Sequence, residues 1–318
     1  IIDGTPGGGA GAPPGGGTPE NYNLTFRLSS DVSGTSNGIY KTYAAFHYQG
    51  HSLVNSTVFG VKPIICVPNP PYTTIQAGVN AANSTVNSIL VLPGTYNEHV
   101  IINKTLTNRI LTLVGVNQNS TIINGGGTGT VVNVTANNAK ISRFTMRNSG
   151  SLPNSGVAIK NSVNITISEN KITSNNGYGM KIQLSSENDI FDNTLSNNNY
   201  GIYLTNSTNI ILRRNSLIGN KYNFGVFGDS LSKFIQDIDT SNKVEGKPIY
   251  YLTNKQNQEI PSDAGFVAVV NSREIAVRSP NLYKNAQGVL FAFTNDSVIE
   301  RVNTKNNYYG IYLSLIHI

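Results

Sequence analysis

Glycine recurs at a fixed interval along this chain. Gly156, Gly179 and Gly201 lie 23 and 22 residues apart, and Gly288 and Gly310 are again 22 apart. Each opens the same phrase: Gly-Val-Ala-Ile, Gly-Met-Lys-Ile, Gly-Ile-Tyr-Leu, Gly-Val-Leu-Phe and Gly-Ile-Tyr-Leu. A period of this size marks a solenoid, because one supersecondary unit cannot bury its apolar face alone and must stack on copies of itself. Counted from the glycine, offsets +1 and +3 are apolar in every complete copy: Val157/Ile159, Met180/Ile182, Ile202/Leu204 and Val289/Phe291. Offset +11 gives Ile167, Ile190, Leu212 and Ile299, and offset +16 gives Ile172, Leu195 and Leu217. Three inward-facing clusters per turn predict three strands per turn, hence an all-β coil of about 22 residues per rung.

Offset +14 is occupied by Asn170, Asn193 and Asn215. With rungs about 4.8 Å apart these asparagines stack directly. Asparagine tolerates the left-handed backbone of a sharp turn, and its amide can hydrogen-bond up such a column.

Charged residues make up only 13% of the chain, against an abundance of Asn, Ser, Thr and Gly. That balance suits a turn-rich β-solenoid with a polar, weakly ionic surface. The net charge is +6, but no basic run exceeds Arg213-Arg214, so there is no focused nucleic-acid footprint. A diffuse positive surface draws anionic glycans or a cell envelope weakly. No stretch reaches the ~18 uncharged apolar residues of a membrane span. The single cysteine, Cys66, excludes an intrachain disulfide framework. Nine Asn-x-Ser/Thr triplets, from Asn23 to Asn295, are compatible with a glycosylated, exported protein.

The chain divides by composition. Residues 1–19 are a Gly/Pro-rich linker, which implies a preceding segment. Residues 20–68 hold strand-like stretches at 22–28, 38–48 and 58–67 and read as a small or incomplete β-sandwich-like module. Pro68-Asn-Pro-Pro71 breaks the chain, and a short amphipathic helix over 73–82, N-capped by Thr73 or Thr74, is expected to cover the open first rung. The parallel coil then runs over 69–313. Register is lost between 221 and 285, which predicts a long excursion to one side of the coil. The last six residues, Leu-Ser-Leu-Ile-His-Ile, back-translate readily into a transposon end used in library preparation, so 314–318 are expected to be a non-native tail, with further rungs in the natural protein.

Four phrases carry a family resemblance: Tyr72-Thr-Thr-Ile-Gln-Ala77, Val91-Leu-Pro-Gly-Thr-Tyr-Asn-Glu98, Leu113-Val-Gly115 with Thr121-Ile-Ile-Asn124, and the glycine rungs. With them, residues 70–313 resemble the right-handed parallel β-helix superfamily of pectin-lyase-like proteins, most closely its NosD-like, carbohydrate-binding and sugar-hydrolase type of repeat. The resemblance implies the fold and its handedness. For activity it is permissive, because that superfamily spans lyases, hydrolases, esterases, epimerases and adhesins.

Candidate chemistry is sparse. Glu187, Asp189 and Asp192 form the only acidic cluster, with Glu169 one rung away at the offset of Asp192. Carboxylates stacked ~5 Å apart would raise one another's pKa and suit acid–base or Ca²⁺ chemistry, which makes Glu169, Asp189 and Asp192 the catalytic candidates. Arg214 and Arg301 share that offset, however, so the same residues also read as a surface charge ladder. His47 and His51, taken as one strand, would stand ~13 Å apart, too far for one metal. With four His, one Cys and two Met, copper has almost no ligand support. Tyr178, Tyr200 and Tyr309 share offset −1, with Tyr203 and Tyr312 at +2. On adjacent rungs such tyrosines form a strip that holds sugar rings, or that simply ladders with itself and protects the turn.

The expectation is an extracellular or cell-surface, non-catalytic solenoid that needs no cofactor. It would act as an adhesin, an envelope component or a glycan-binding stalk, with Tyr178, Tyr200, Tyr203 and Tyr309 the candidate contacts for polysaccharide or envelope glycans. The alternatives are a polysaccharide-active hydrolase or lyase using the carboxylates, and a NosD-like accessory factor for copper-site maturation.

Overall fold

The computed structural model describes residues 39–48, 51–60 and 64–314. The linker 1–19, the stretch 22–28 and residues 315–318 lie outside the described residues. Two units separate between Pro63 and Ile64. In the first, Ile39–Tyr48 pairs antiparallel with His51–Gly60, with Tyr48 opposite His51. His47 and His51 therefore occupy two strands of a hairpin rather than one strand, which corrects the spacing argued from sequence.

The second unit is a three-faced parallel coil, as the glycine period predicts. Its faces are a sheet of eight strands, one of six and one of eleven. The predicted columns stack in register. Val157 lies on Met180 and then Ile202, and Ile159 on Ile182 and then Leu204. Ile167 lies on Ile190 and Leu212, and Ile172 on Leu195 and Leu217. All these side chains are buried and together form one continuous core. The coil starts earlier than residue 69: Ile65–Val67 pairs with Ser88–Val91 as the first strand of the eight-stranded sheet.

The rung glycines answer to space rather than to backbone twist. A Cβ on Gly179 would lie 2.7 Å from the Asn198 amide and 2.9 Å from the Gly201 carbonyl. A Cβ on Gly156 would lie 2.6 Å from the Asn175 amide. Those amides belong to a second asparagine column. Asn175 Nδ2 donates to Asn198 Oδ1 at 3.0 Å, and Asn198 Nδ2 to Asn220 Oδ1 at 2.9 Å. The expected column is present as well and runs one rung further: Asn170 donates to Asn193, Asn193 to Asn215, and Asn215 to Asn242, at 3.1, 3.1 and 2.9 Å. Each Oδ1 also accepts the backbone N–H of the preceding asparagine. Buried corners thus leave few turn amides without a partner.

At the start of the coil the helix Ile75–Ala81 buries Ile75, Gly78 and Val79. The Thr74 hydroxyl accepts from Ala77 N–H at 3.1 Å. Glu98 closes the same turn from 20-odd residues away, accepting from Ile75 and Gln76 N–H at 2.9 and 3.0 Å. Gln76 then reaches the edge of the six-stranded sheet. Its Oε1 accepts from Ile101 N–H at 2.7 Å and its Nε2 donates to Ile101 O at 3.1 Å, the two bonds a further strand would make.

The expected excursion between 221 and 285 is not a loop. Lys243–Val244 pairs antiparallel with the next segment, through Glu245 and Gly246 at φ 49° and 81°. The chain then builds a second coil, in which Lys247–Thr253, Phe266–Val270, Gln287–Ala292 and Tyr309–Ser314 stack in parallel. Its first rung, Ile249 to Phe266, is 17 residues long, so it escapes a 22-residue search. Phe266, Ala268 and Val270 face the first core, while Val267 and Val269 face a second core containing Val289, Phe291 and Ile275. A sheet buried on both faces closes the end of the first coil, with Phe266 edge-on to Phe224 at 4.9 Å.

Candidate functional site

Glu169 and Asp192 stand in one turn column, as their shared offset requires, between two arginines. Arg143 Nε meets Glu169 at 3.0 Å, and Arg214 grips both oxygens of Asp192 at 2.7 and 2.8 Å. The side-chain bond from Arg214 holds the Asp192 carboxyl below the usual carboxylate range. At Asp192 this reverses the raised pKa expected for stacked acids, because the Arg214 cation sits against the carboxylate. Arg301 is not part of the column; it binds Glu300 at 2.6 Å in the second coil. Asp189 lies elsewhere, on a strand between Thr166 and Ile211. The three candidate carboxylates therefore do not converge.

His99 has both ring nitrogens engaged, at 2.9 Å from Thr130 O and 3.3 Å from Thr128 Oγ1. Among the described residues no three His, Cys, Asp or Glu side chains come together in a way that would hold a metal ion.

The tyrosines do converge. The strands Tyr178–Gln183, Tyr200–Thr205 and Tyr222–Phe227 are neighbours in the six-stranded sheet, with Tyr178, Tyr200 and Tyr222 in one column. The rings are half-buried whereas Met180, Ile202 and Phe224, two positions on, are fully inside the core, so strict alternation is broken at the residue between them. Ring centroids are 5.1 Å apart for Tyr178–Tyr200 and 4.9 Å for Tyr200–Tyr222. Tyr203 lies 4.9 Å from Tyr178 and stacks on Phe227 at 5.1 Å. The last rung of the second coil joins them: Tyr308 meets Tyr222 edge-on at 5.8 Å, and Tyr312 meets Phe227 at 5.6 Å. Tyr309 contacts Tyr308, Tyr312 and Phe227 at 4.8, 5.3 and 6.3 Å.

Of these eight rings, the sequence singles out Tyr178, Tyr200, Tyr203, Tyr309 and Tyr312. Tyr222 and Phe227 escape because Asn223 replaces the rung glycine from which offsets are counted. Tyr308 falls one position outside the repeated column.

The seven phenol hydroxyls have no hydrogen-bond partner among the described residues, and none is an enclosed orphan. Burial, with neighbouring phenols second, pushes Tyr200 up to about 12; the same two causes raise Tyr203, and burial alone raises Tyr178. Two cations border the face, Lys181 Nζ 5.2 Å from the Tyr178 ring centre and Lys221 Nζ 5.3 Å from that of Tyr222. The strands that carry the rings contain no Asp or Glu.

The sequence of residues 46–257, more than half of the chain, matches the family described as right handed beta helix region. The chain belongs to the right-handed β-helix family. Among solved structures, this β-helix protein is similar to the mannuronan C-5 epimerase AlgE6 A-module of Azotobacter vinelandii, with 16% identity, 72% of this chain and 71% of that one covered, and a TM-score of 0.39. An alginate lyase from Paenibacillus sp. strain FPU-7 is 14% identical over 76% of this chain and 95% of its own, with a TM-score of 0.40. Pectin methylesterase from carrot is 11% identical over 76% and 82%, with a TM-score of 0.37. Likeness at this level speaks to neither site nor substrate. No curated protein matches the sequence.

Away from the rings, the β-helix has a groove of about 370 Å³ on the eight-stranded sheet, lined by Glu187, Asp189, Ile211, Ile235, Gln236 and Asp237 among others. Asp237 is already bound to Arg213 at 2.6 Å.

Proposed function

We propose that this β-helix protein is an exported or cell-surface, non-catalytic glycan-binding module, and that its ligand lies against the aromatic face of Tyr178, Tyr200, Tyr203, Tyr222, Tyr308 and Tyr309. One observation supports this most: seven phenols whose hydroxyls have no hydrogen-bond partner among the described residues stand in one continuous ladder of rings. A sugar offers what such a surface lacks, with hydroxyls for the phenol groups and apolar C–H faces for the rings. Edge-to-face and tilted packing fixes the rings before any ligand arrives, so little ordering accompanies binding.

The non-catalytic part of the reading rests on the carboxylates. Glu169 and Asp192 are each held by an arginine, and Asp189 stands apart from them. The arginine partners of Glu169 and Asp192 make both part of a surface charge ladder rather than a free acid–base pair.

The test is a glycan array followed by titration of the best ligand. Tyr203→Phe, which keeps the ring and removes the hydroxyl, should weaken binding several-fold, and Tyr200→Ala by tenfold or more. Asp192→Asn should bind as the native protein does. Turnover of any bound glycan, lost in Asp192→Asn, would establish the hydrolase or lyase reading instead.

A further inference from the structure

We infer that the groove on the eight-stranded sheet docks a basic segment of a partner protein, through lysine or arginine side chains. This is independent of the glycan reading, since the strands of the tyrosine ladder's first coil belong to the six-stranded sheet.

The groove comes from an insertion. Asp189 and Ile211 are partners in neighbouring strands and stand 22 residues apart, but the partners Ile211 and Asp237 stand 26 apart. The longer rung carries the helical turn Leu231–Phe234, which delivers Ile235 to the groove wall. Insertions in a solenoid often build its binding face.

Gln236 ties this insertion down. Its Oε1 accepts from Ile210 N–H at 2.8 Å, and its Nε2 donates to Ser207 O at 2.7 Å and to Lys233 O at 2.9 Å. Phe234 beside it is fully buried. The groove is thus formed in advance, and docking need not order its walls.

The lining joins an aliphatic floor to an acidic rim. Asp189, Ile211 and Asp237 form one column, with the 36% exposed Ile211 between the two carboxylates. Ile235 extends the floor, and Glu187 adds a third carboxylate to the rim. Arg213 is already shared by Asp237 and Asp239, at 2.6 and 3.3 Å. Among the described residues, neither Glu187 nor Asp189 meets a cation at ion-pairing distance. A chain of net charge +6 therefore keeps unpaired negative charge at this groove.

A long basic side chain complements both parts. Its methylene stem lies on Ile211 and Ile235, and its cation meets Glu187 and Asp189. An amino sugar matches less well, because no aromatic ring lines the groove.

The probe is a fluorescein-labelled hexapeptide of alternating valine and lysine, titrated with the full chain and followed by fluorescence anisotropy. Two control peptides replace lysine by norleucine, which keeps the stem, or by glutamate. Only the lysine peptide should bind, and its affinity should fall about tenfold between about 50 and about 500 mM salt. Glu187→Gln with Asp189→Asn should weaken binding about fivefold or more. Ile211→Lys, which puts the chain's own cation in the groove, should abolish it. Urea midpoints close to the native one check that both variants keep the fold. Equal binding by the native protein and the double variant would overturn the inference. So would a norleucine peptide that binds as well as the lysine peptide. Chitosan oligosaccharide binding in place of the peptide, lost in the double variant, would assign the groove to an amino sugar instead. Dimers in sedimentation velocity, lost in Ile211→Lys, would assign it to a second copy of the chain and overturn the inference likewise.

Discussion

Gln287 holds both backbone groups of Val226 through its side-chain amide: Val226 N–H donates to Oε1 at 3.2 Å, and Nε2 donates to Val226 O at 2.7 Å. At the opposite end of the same six-stranded sheet, Gln76 does the same for Ile101. One glutamine at each end stands in for a missing strand, but the two sites differ in burial. Val226 and Gln287 are fully buried, whereas Ile101 is 45% exposed.

Gln287→Ala should therefore cost far more than Gln76→Ala. The buried pair loses two partners at ~1–3 kcal/mol each, about 2–6 kcal/mol in all. At Ile101 water replaces the amide, and the loss should stay under about 1 kcal/mol. Urea midpoints of the two variants check this; equal losses would contradict it.

Asn193→Ala breaks the longer buried column in its middle. It strands Asn170 N–H and Nδ2, which donate to Asn193 Oδ1 at 3.1 Å each, and Ile167 O, which accepts at 2.8 Å. A loss of about 3 kcal/mol or more is expected. Amide hydrogen exchange should quicken at the turns of residues 170 and 193 before it does so at the glycine rungs.

The Arg214–Asp192 pair gives a pH dependence of known sign. Asp192 is depressed in the folded state, so its contribution is present above the unfolded pKa and is lost as pH falls through the folded one. The pair is exposed at 60% and 37%, which limits it to under about 1 kcal/mol. Asp192→Asn should trail the native protein slightly at neutral pH and match it in strong acid. A gap that widens on acidification would contradict the assignment.

Tyr200, Tyr203 and Tyr251 titrate in the opposite sense. Their folded pKa values lie above the usual value near 10, chiefly through burial, and Tyr200 reaches about 12. The stability they confer is complete below pH ~10 and is lost as pH rises through the folded values. An absorbance titration of phenolate should show a late-ionising group, and denaturant midpoints should fall between pH ~10 and ~12. Uniform ionisation near 10 with the fold intact would refute this.

The rungs were legible because glycine, aliphatic and asparagine positions repeat in step, and the structure keeps that step from Gly156 to Gly201. The second asparagine column was equally visible in principle. Asn175, Asn198, Asn220 and Asn307 all sit at offset +19 from their glycines. Of the second coil only the rungs at Gly288 and Gly310 were legible; its start and its separation from the first coil were not. Phe266–Val270 is apolar at every position because both of its faces are covered, so it shows neither alternation nor a rung glycine. The tyrosine face was read in part, and its missing members lie where Asn223 displaced the glycine or where two coils meet. The carboxylates were placed in the right column, but Arg143 precedes the first repeated glycine, so the cation that closes that column went unnoticed.

Solenoids commonly melt by peeling away one repeat at a time from a free tip. The strand Phe266–Val270 denies this molecule that route at its joint. It is a party wall, and demolishing the rooms on either side leaves half of it facing water. Damage to Val269 should therefore be felt by hydrogen exchange at Phe224 and Val226, across the wall, as readily as at Val289 beside it. Both coils are then expected to come apart in one transition, which gives the short, 17-residue rung an importance out of proportion to its size.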